Sequence, residues 1–217
     1  RELRAAQLAT PDDHPGDCQP AAAVLHMLSQ VATTPLPLTG WRLGELSPED
    51  RLDEWGFLLD VRRLVPAELA RVFADYGGET ARAYAPRLRR LSHERLHGFL
   101  TGSIDLLAQH QGRYLVIDWK SNHLGNQPSD YHAAACAEAM TEHDYTLQYH
   151  LYLLAAHRYL RQRLSDYDYD QHLAGAQYIF LRGVDGSGAH GFAGDRPPKA
   201  LIQALDGYLF GTLAVPT

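Results

Sequence analysis

The chain has 217 residues, of which 45% are hydrophobic and 21% charged, proportions that exclude disorder over most of its length. Lys and Arg number 20 against 26 Asp and Glu, a net charge of −6, which argues against a domain that coats nucleic acid by neutralising phosphates. No run approaches the roughly 18 consecutive apolar residues of a membrane-spanning helix. Two cysteines, Cys18 and Cys136, cannot build a disulfide framework or a four-cysteine metal site. A reducing, cytoplasmic setting without a membrane is expected.

Arg1-Glu2-Leu3-Arg4 lacks the apolar stretch of a signal peptide. With no initiator Met, the chain reads as a processed chain or an excised domain. Residues 1–20 are polar, with three prolines, and read as a linker or arm; residues 21–217 read as one domain. Ala21–Val31 is helix-forming, with Val24, Leu25 and Leu28 on one stripe. Thr33–Gly40 carries two prolines and is a loop; Ser47-Pro48-Glu49-Asp50 is a turn or helix start. Alternation of Trp55, Phe57, Leu59 and Val61 predicts a strand over Leu52–Val61. A short helix opens at Val65-Pro66 and ends near Gly77-Gly78. Residues 79–97 hold Arg82, Arg87, Arg89, Arg90 and Arg95 and read as basic and irregular, either a DNA path or a solvated loop.

Phe99–Ala108 and Arg113–Lys120 are two strand-like runs joined around Gln111-Gly112. A two-residue turn there pairs His110 with Arg113, and in that register Asp105 lies directly opposite Asp118. Gly112 suits the positive φ such turns need. Ser129–Met140 is alanine-rich and helical. Tyr145–Leu164 is a long helix with Asp144 at its N-cap and Leu147, Leu151, Leu154 and Leu160 turned inward. Ala174–Leu181 is a buried strand, residues 183–196 are a Gly-rich loop with a short strand near Gly191-Phe192, and a last helix runs from Pro197-Pro198 to Leu209.

Side chains alternate faces along a strand, so Asp118 and Lys120 share one face of the second run. Opposed carboxylates on a sheet have Cβ atoms roughly 5 Å apart and repel. A divalent cation bound by both removes that cost, and oxygen ligands suit Mg²⁺, Mn²⁺ or Ca²⁺. Lys120 then points at the same place, where an ammonium can hold a phosphate oxygen or position a water. A lone Asp-x-Lys is more often a solvated strand face; the Gly-Ser-Ile-Asp strand before it and the apolar flanks weaken that alternative. Gln148 and Tyr152, four apart, share a helical face, although spacing alone favours a polar edge. His26 by its surroundings is a packed or exposed histidine. No CxxC…HxxxH spacing organises the 12 histidines.

The runs GFLTGSIDLLAQHQGRYLVIDWKSNHLG, YTLQYHLYLLAAHRYLRQRL and YIFLRGV closely resemble the C-terminal nuclease domains of the RecB family, within the restriction-endonuclease-like PD-(D/E)xK nucleases. The similarity is strong over residues 98–184 and weaker over 26–78. It implies an α/β restriction-endonuclease-like core, a central mixed β-sheet flanked by helices. It implies Mg²⁺-dependent hydrolysis of single- and double-stranded DNA, with Mn²⁺ or Ca²⁺ able to occupy the site. Asp105 and Asp118 match the metal ligands, Lys120 the catalytic lysine, and Gln148 and Tyr152 the helical QxxxY motif. His26 and the carbonyl of Trp119 match further ligands. Trp119 stands where the family has Tyr. Glu54-Trp55-Gly56-Phe57 lacks the second acid of a Glu-x-Glu-Phe pattern, and Ala22-Ala23 and Gln30 replace the usual Gly and Glu around His26. The implied partners are a RecB helicase region in cis, the RecC and RecD subunits, and RecA. Two other functions stay open. One is a free-standing exonuclease, whose iron–sulfur branch needs four cysteines; the other is a degenerate docking module.

Overall fold

The computed structural model describes residues 20–91 and 96–211. Residues 1–19, where the arm is expected, lie outside them, as do Cys18 and Arg95. A first helix, α1 (Pro20–Thr33), leads through a loop and two 3₁₀ turns into β1 (Arg51–Leu64). Then follow α2 (Pro66–Tyr76), α3 (Glu79–Leu88), β2 (Leu96–His110) and β3 (Arg113–Lys120). The remaining elements are α4 (Ala133–Glu142), α5 (Tyr145–Arg163), α6 (Tyr169–His172), β4 (Leu173–Phe180), β5 (Phe192–Asp195) and α7 (Lys199–Phe210).

The strands form one sheet in the order β1-β2-β3-β4-β5. All neighbours are antiparallel except β3 and β4, which are parallel. A parallel pair needs a crossover, here supplied by α4, α5 and α6. Both faces of the sheet centre are covered, so all eight residues of β4 are buried, and its sequence is apolar on both faces rather than alternating, apart from Gln177, whose amide is hydrogen-bonded to the Leu38 N–H and the Ala193 carbonyl. The larger core lies between the sheet and the helices α2–α5 and α7, with Phe73, Leu107, Val116, Leu153, Leu154 and Leu205 at its centre. A smaller core on the other face joins Leu106, Leu115, Ile117 and Ile179 to Val31 and Leu36.

The β2–β3 turn has the expected length: Gln111 has φ 50° and Gly112 φ 77°, the pair of positive values that a two-residue type I′ turn requires. His110 pairs with Arg113 and Leu106 with Ile117, the anticipated register.

Four expectations are corrected. Residues 79–88 are not irregular but form α3, with Pro86 inside it. The basic residues hid its apolar stripe of Ala81, Tyr84, Ala85 and Leu88, all buried. Of its arginines, Arg82 Nε donates to the Ala74 carbonyl and Arg87 pairs with Asp144, so these two are structural. The stripe on α1 faces outward, with Val24, Leu25 and Leu28 44–67% exposed, because only the C-terminal end of α1 reaches the sheet. Asp144 precedes α5 but does not cap it: its φ is 58°, and its carboxylate accepts instead from Tyr84 Oη at 2.6 Å and from Arg87 Nε. The Ser129–Met140 helix is divided into a 3₁₀ turn at Pro128–Tyr131 and α4, which His132 caps through Nδ1.

Candidate active site

Asp105 and Asp118 stand on adjacent antiparallel strands where β2 parts from β3. The last ladder pair is Leu106↔Ile117. One step further, the Trp119 N–H is taken by Asp105 Oδ2 at 2.8 Å rather than by a β2 carbonyl. The alternation of β2 also slips here. Ile104 and Leu107 pack into the same core while Leu106 and Ala108 pack into the other. On β1 the residue at this level is Glu54, an exposed side chain whose φ of 49° interrupts the strand without changing the register on either side. Two strands thus bend together at the aspartate, which frees its carboxylate from a regular ladder.

Asp118 is 3% exposed. Lys120 Nζ lies 2.6 Å from its Oδ2, out of line for a hydrogen bond, so Oδ2 is buried with an ionic contact but no aligned donor among the described residues. Burial raises the Asp118 pKa above the ordinary carboxylate value; Lys120 pulls it back and Asp105 pushes it up further.

Lys120 is held on several sides. Its Nζ donates to Gln148 Oε1 at 3.1 Å and sits 3.8 Å above the centre of the Tyr145 ring and 5.0 Å from that of Tyr178. Gln148 Oε1 also accepts from Tyr178 Oη at 2.9 Å, while Gln148 Nε2 donates to Tyr152 Oη at 3.0 Å. The amide is therefore oriented by partners on both ends. Burial, and the charges of Asp118 and Asp105, push the Tyr152 hydroxyl up to about 12 and raise that of Tyr178 as well. Both phenols stay protonated; Tyr178 donates to Gln148 and Tyr152 accepts from it.

The structure thus brings together Asp105, Asp118, Lys120, Gln148 and Tyr152, with Trp119 in the same strand. It does not bring His26 to them: that side chain is exposed on α1. No group of three or more His, Cys, Asp or Glu side chains capable of holding one ion occurs among the described residues. Tyr145 and Tyr178 are the residues that sequence reasoning missed. Tyr178 pairs with Asp118 across the parallel β3–β4 ladder, a relation that no local spacing reveals. Tyr145, at the first position of α5, is seven residues from Tyr152 and so lies on the same helical face, which was the available signal.

Opposed acids, a buried carboxylate oxygen without an aligned donor and a fixed ammonium suit a hard divalent cation bound by oxygen. Two protein carboxylates leave positions for waters and substrate, as Mg²⁺ sites do.

The profile of the PD-(D/E)XK nuclease superfamily matches residues 25–206. The chain is 40% identical over 181 residues to RecBCD enzyme subunit RecB of Escherichia coli strain K12, an alignment spanning 82% of this chain and 15% of that protein. It is 37% identical over 181 residues to the RecB subunit of Haemophilus influenzae, covering 83% of this chain and 14% of that protein. It is 37% identical over 188 residues to that of Mycobacterium tuberculosis H37Rv, covering 77% and 17%. The chain therefore spans about one sixth of the curated relatives it matches. No helix among the described residues is long and apolar enough to cross a membrane. With a mixed sheet between helices and this match over most of its length, the chain belongs to the PD-(D/E)XK nuclease superfamily.

Proposed function

We propose that this domain hydrolyses phosphodiester bonds of single- and double-stranded DNA in a RecBCD-type helicase–nuclease acting in double-strand break repair and recombination. The observation that carries the reading is that Lys120, in ionic contact with Asp118, is hydrogen-bonded to Gln148 and through it to Tyr152, while Asp105 accepts from the backbone N–H of Trp119 beside them. The Asp105 and Asp118 carboxylates and the Trp119 carbonyl would hold Mg²⁺, with Mn²⁺ or Ca²⁺ as alternatives. His26 enters the set through the resemblance alone, and Mn²⁺ titration of His26→Ala decides its membership. When bound, such an ion lowers the pKa of a water and offsets negative charge on the scissile phosphate.

The chain's own residues supply the rest. Lys120 presents a fixed positive charge to a phosphate oxygen or an attacking water. The Tyr145 ring and Gln148 keep that charge from collapsing wholly onto Asp118. Tyr152 and Tyr178 hold Gln148 in the orientation that accepts from Lys120. Asp105, tied to the Trp119 N–H, fixes β2 against β3 so that the two carboxylates stay opposed.

A net charge of −6 gives weak unaided grip on DNA, so a helicase region in cis, with RecC and RecD subunits, would deliver the strand. RecA would be a further partner and the setting cytoplasmic. Mg²⁺-dependent cleavage of labelled single- and double-stranded DNA, compared between the wild-type chain and Asp118→Ala, tests the reading. Full cleavage by the variant would refute it.

A further inference from the structure

We infer that the groove between β1 and α5 is a track for single-stranded DNA, in which Trp55, Phe57 and Tyr159 stack the bases of a strand engaged at Asp105 and Asp118. The inference rests on the nuclease reading and specifies the form in which the substrate lies on the protein.

An unbroken row of rings leaves the active site. Phe57 stands edge-on to Tyr152 at 5.8 Å, Trp55 is 6.4 Å from Phe57, and Tyr159 is 4.8 Å from Trp55. Arg163 continues the row, its guanidinium 5.3 Å from the Tyr159 ring. Tyr152 is nearly buried, but Trp55, Phe57 and Tyr159 are each only partly covered. All three line a groove of about 470 Å³ together with Arg62, Arg158 and Asp60.

The backbone makes room for this row. Phe57 lies across from Gly102, and a Cβ on Gly102 would come within 2.4 Å of the Phe57 ring. The ring therefore rests on bare backbone and stays within reach of Tyr152. Along the groove β1 is the edge of the sheet, so its outward N–H groups have no strand partner among the described residues and can donate to phosphates.

The charges fit a nucleic-acid strand. Arg62 lines the groove and is exposed, and Arg163, also exposed, stands beyond it against the Tyr159 ring. Arg158 is already committed to Asp206 and to the Phe210 ring, and Asp60 is the one acid among the lining residues. Stacking accepts any base, since every base has a π face. Bases inside a duplex cannot offer that face sideways, so the track is specific for single strands. A grip built on rings also suits a chain whose overall charge disfavours phosphate neutralisation.

The test titrates a fluorescein-labelled oligothymidylate of about 20 nucleotides into the 217-residue chain in EDTA, so that nothing is cleaved. Each lost stacking contact weakens binding by roughly 5- to 150-fold. Trp55→Ala and Tyr159→Leu are each expected to show that loss, and Trp55→Phe, which keeps a ring, to recover most of it. Affinity for a blunt duplex of equal length should hardly change. Bis(p-nitrophenyl) phosphate has no bases, so Mg²⁺-dependent hydrolysis of it by Trp55→Ala should match wild type and also shows that the variant is folded. Arg62→Ala, a surface change, should reduce the salt slope of oligothymidylate binding by about 0.7. Wild-type oligothymidylate affinity in Trp55→Ala, or equal losses for single strand and duplex, overturns the track. Absence of hydrolysis by the wild-type chain counts against the nuclease reading instead, and the binding comparison still decides the track.

Discussion

Truncating Lys120 to Ala leaves Asp118 facing Asp105 with no cation beside it. The two partners are 11% and 4% exposed at their side chains and 2.6 Å apart, so water screens little of the loss. Breaking a buried pair by removing one member typically costs about 3–5 kcal/mol. The lower end applies here, because Asp118 can take up a proton and escape the unpaired charge. That escape sets a pH dependence. Burial already raises the folded-state pKa of Asp118, and Lys120 is the influence that lowers it. Without Lys120 the folded chain binds the proton more tightly than the unfolded chain does. The group's contribution to stability is then greatest at low pH and is lost as pH rises through the raised pKa. Urea unfolding of the metal-free chain, followed by tryptophan fluorescence, should show a midpoint lowered by about 1 M at neutral pH, taking a loss of about 3 kcal/mol and a slope near 3 kcal/mol/M. The deficit should shrink near pH 5. Asp118→Ala in the same chain should recover part of it, giving a coupling above about 1 kcal/mol in the double-mutant cycle. Equal deficits at both pH values together with additive single effects would refute the pairing. Cleavage by Lys120→Ala should fall on the order of 10²–10³-fold, the usual cost of one lost electrostatic contact at a reacting centre.

Asp118→Ala removes a proposed ligand, so calorimetric Mn²⁺ titration should show metal binding lost along with cleavage, whereas Lys120→Ala should retain binding. Tyr178→Phe deletes the hydroxyl that donates to Gln148 Oε1; a net loss of about 1 kcal/mol for one hydrogen bond predicts a urea midpoint lowered by about 0.3 M at a slope near 3 kcal/mol/M, with cleavage slowed because Gln148 is less firmly oriented. Gly102→Ala drives a methyl into the Phe57 ring and should destabilise by about 1–3 kcal/mol, read as a lower urea midpoint; Phe57→Ala in the same chain should relieve the clash.

The hairpin that carries Asp105 and Asp118 was legible because its turn has two residues and each strand alternates cleanly up to the bend. Helix α5 was legible for its length and its apolar content. Helix α3 was not, since its arginines and Pro86 outweighed a stripe of two alanines, a tyrosine and a leucine whose burial depends on α2 and α5. The cage around Lys120 was half legible. Gln148 and Tyr152 follow from helical spacing, but Tyr178 arrives through parallel pairing of β3 with β4, a contact across some sixty positions that no period encodes. The bend at Glu54 and Asp105 was also invisible, because a left-handed residue inside a strand is a response to tertiary packing rather than a local preference.

The parting of β2 from β3 has a mechanical consequence. Beyond Asp105, β2 continues toward Leu96 paired, among the described residues, only with β1, so a two-stranded ribbon extends past β3, with Phe99 and Leu58 bare on one face and Val61 and Leu100 on the other packed into the larger core. Its root is the pair Glu54 and Asp105. Amides of β2 between Gly98 and Ser103 should exchange with deuterium before those at Leu106–Ala108, which have strand partners on both sides. A shift of the ribbon is transmitted to the level of the carboxylate, so the stretch of β2 held by a single neighbouring strand and the most demanding geometry of the sheet share one fulcrum.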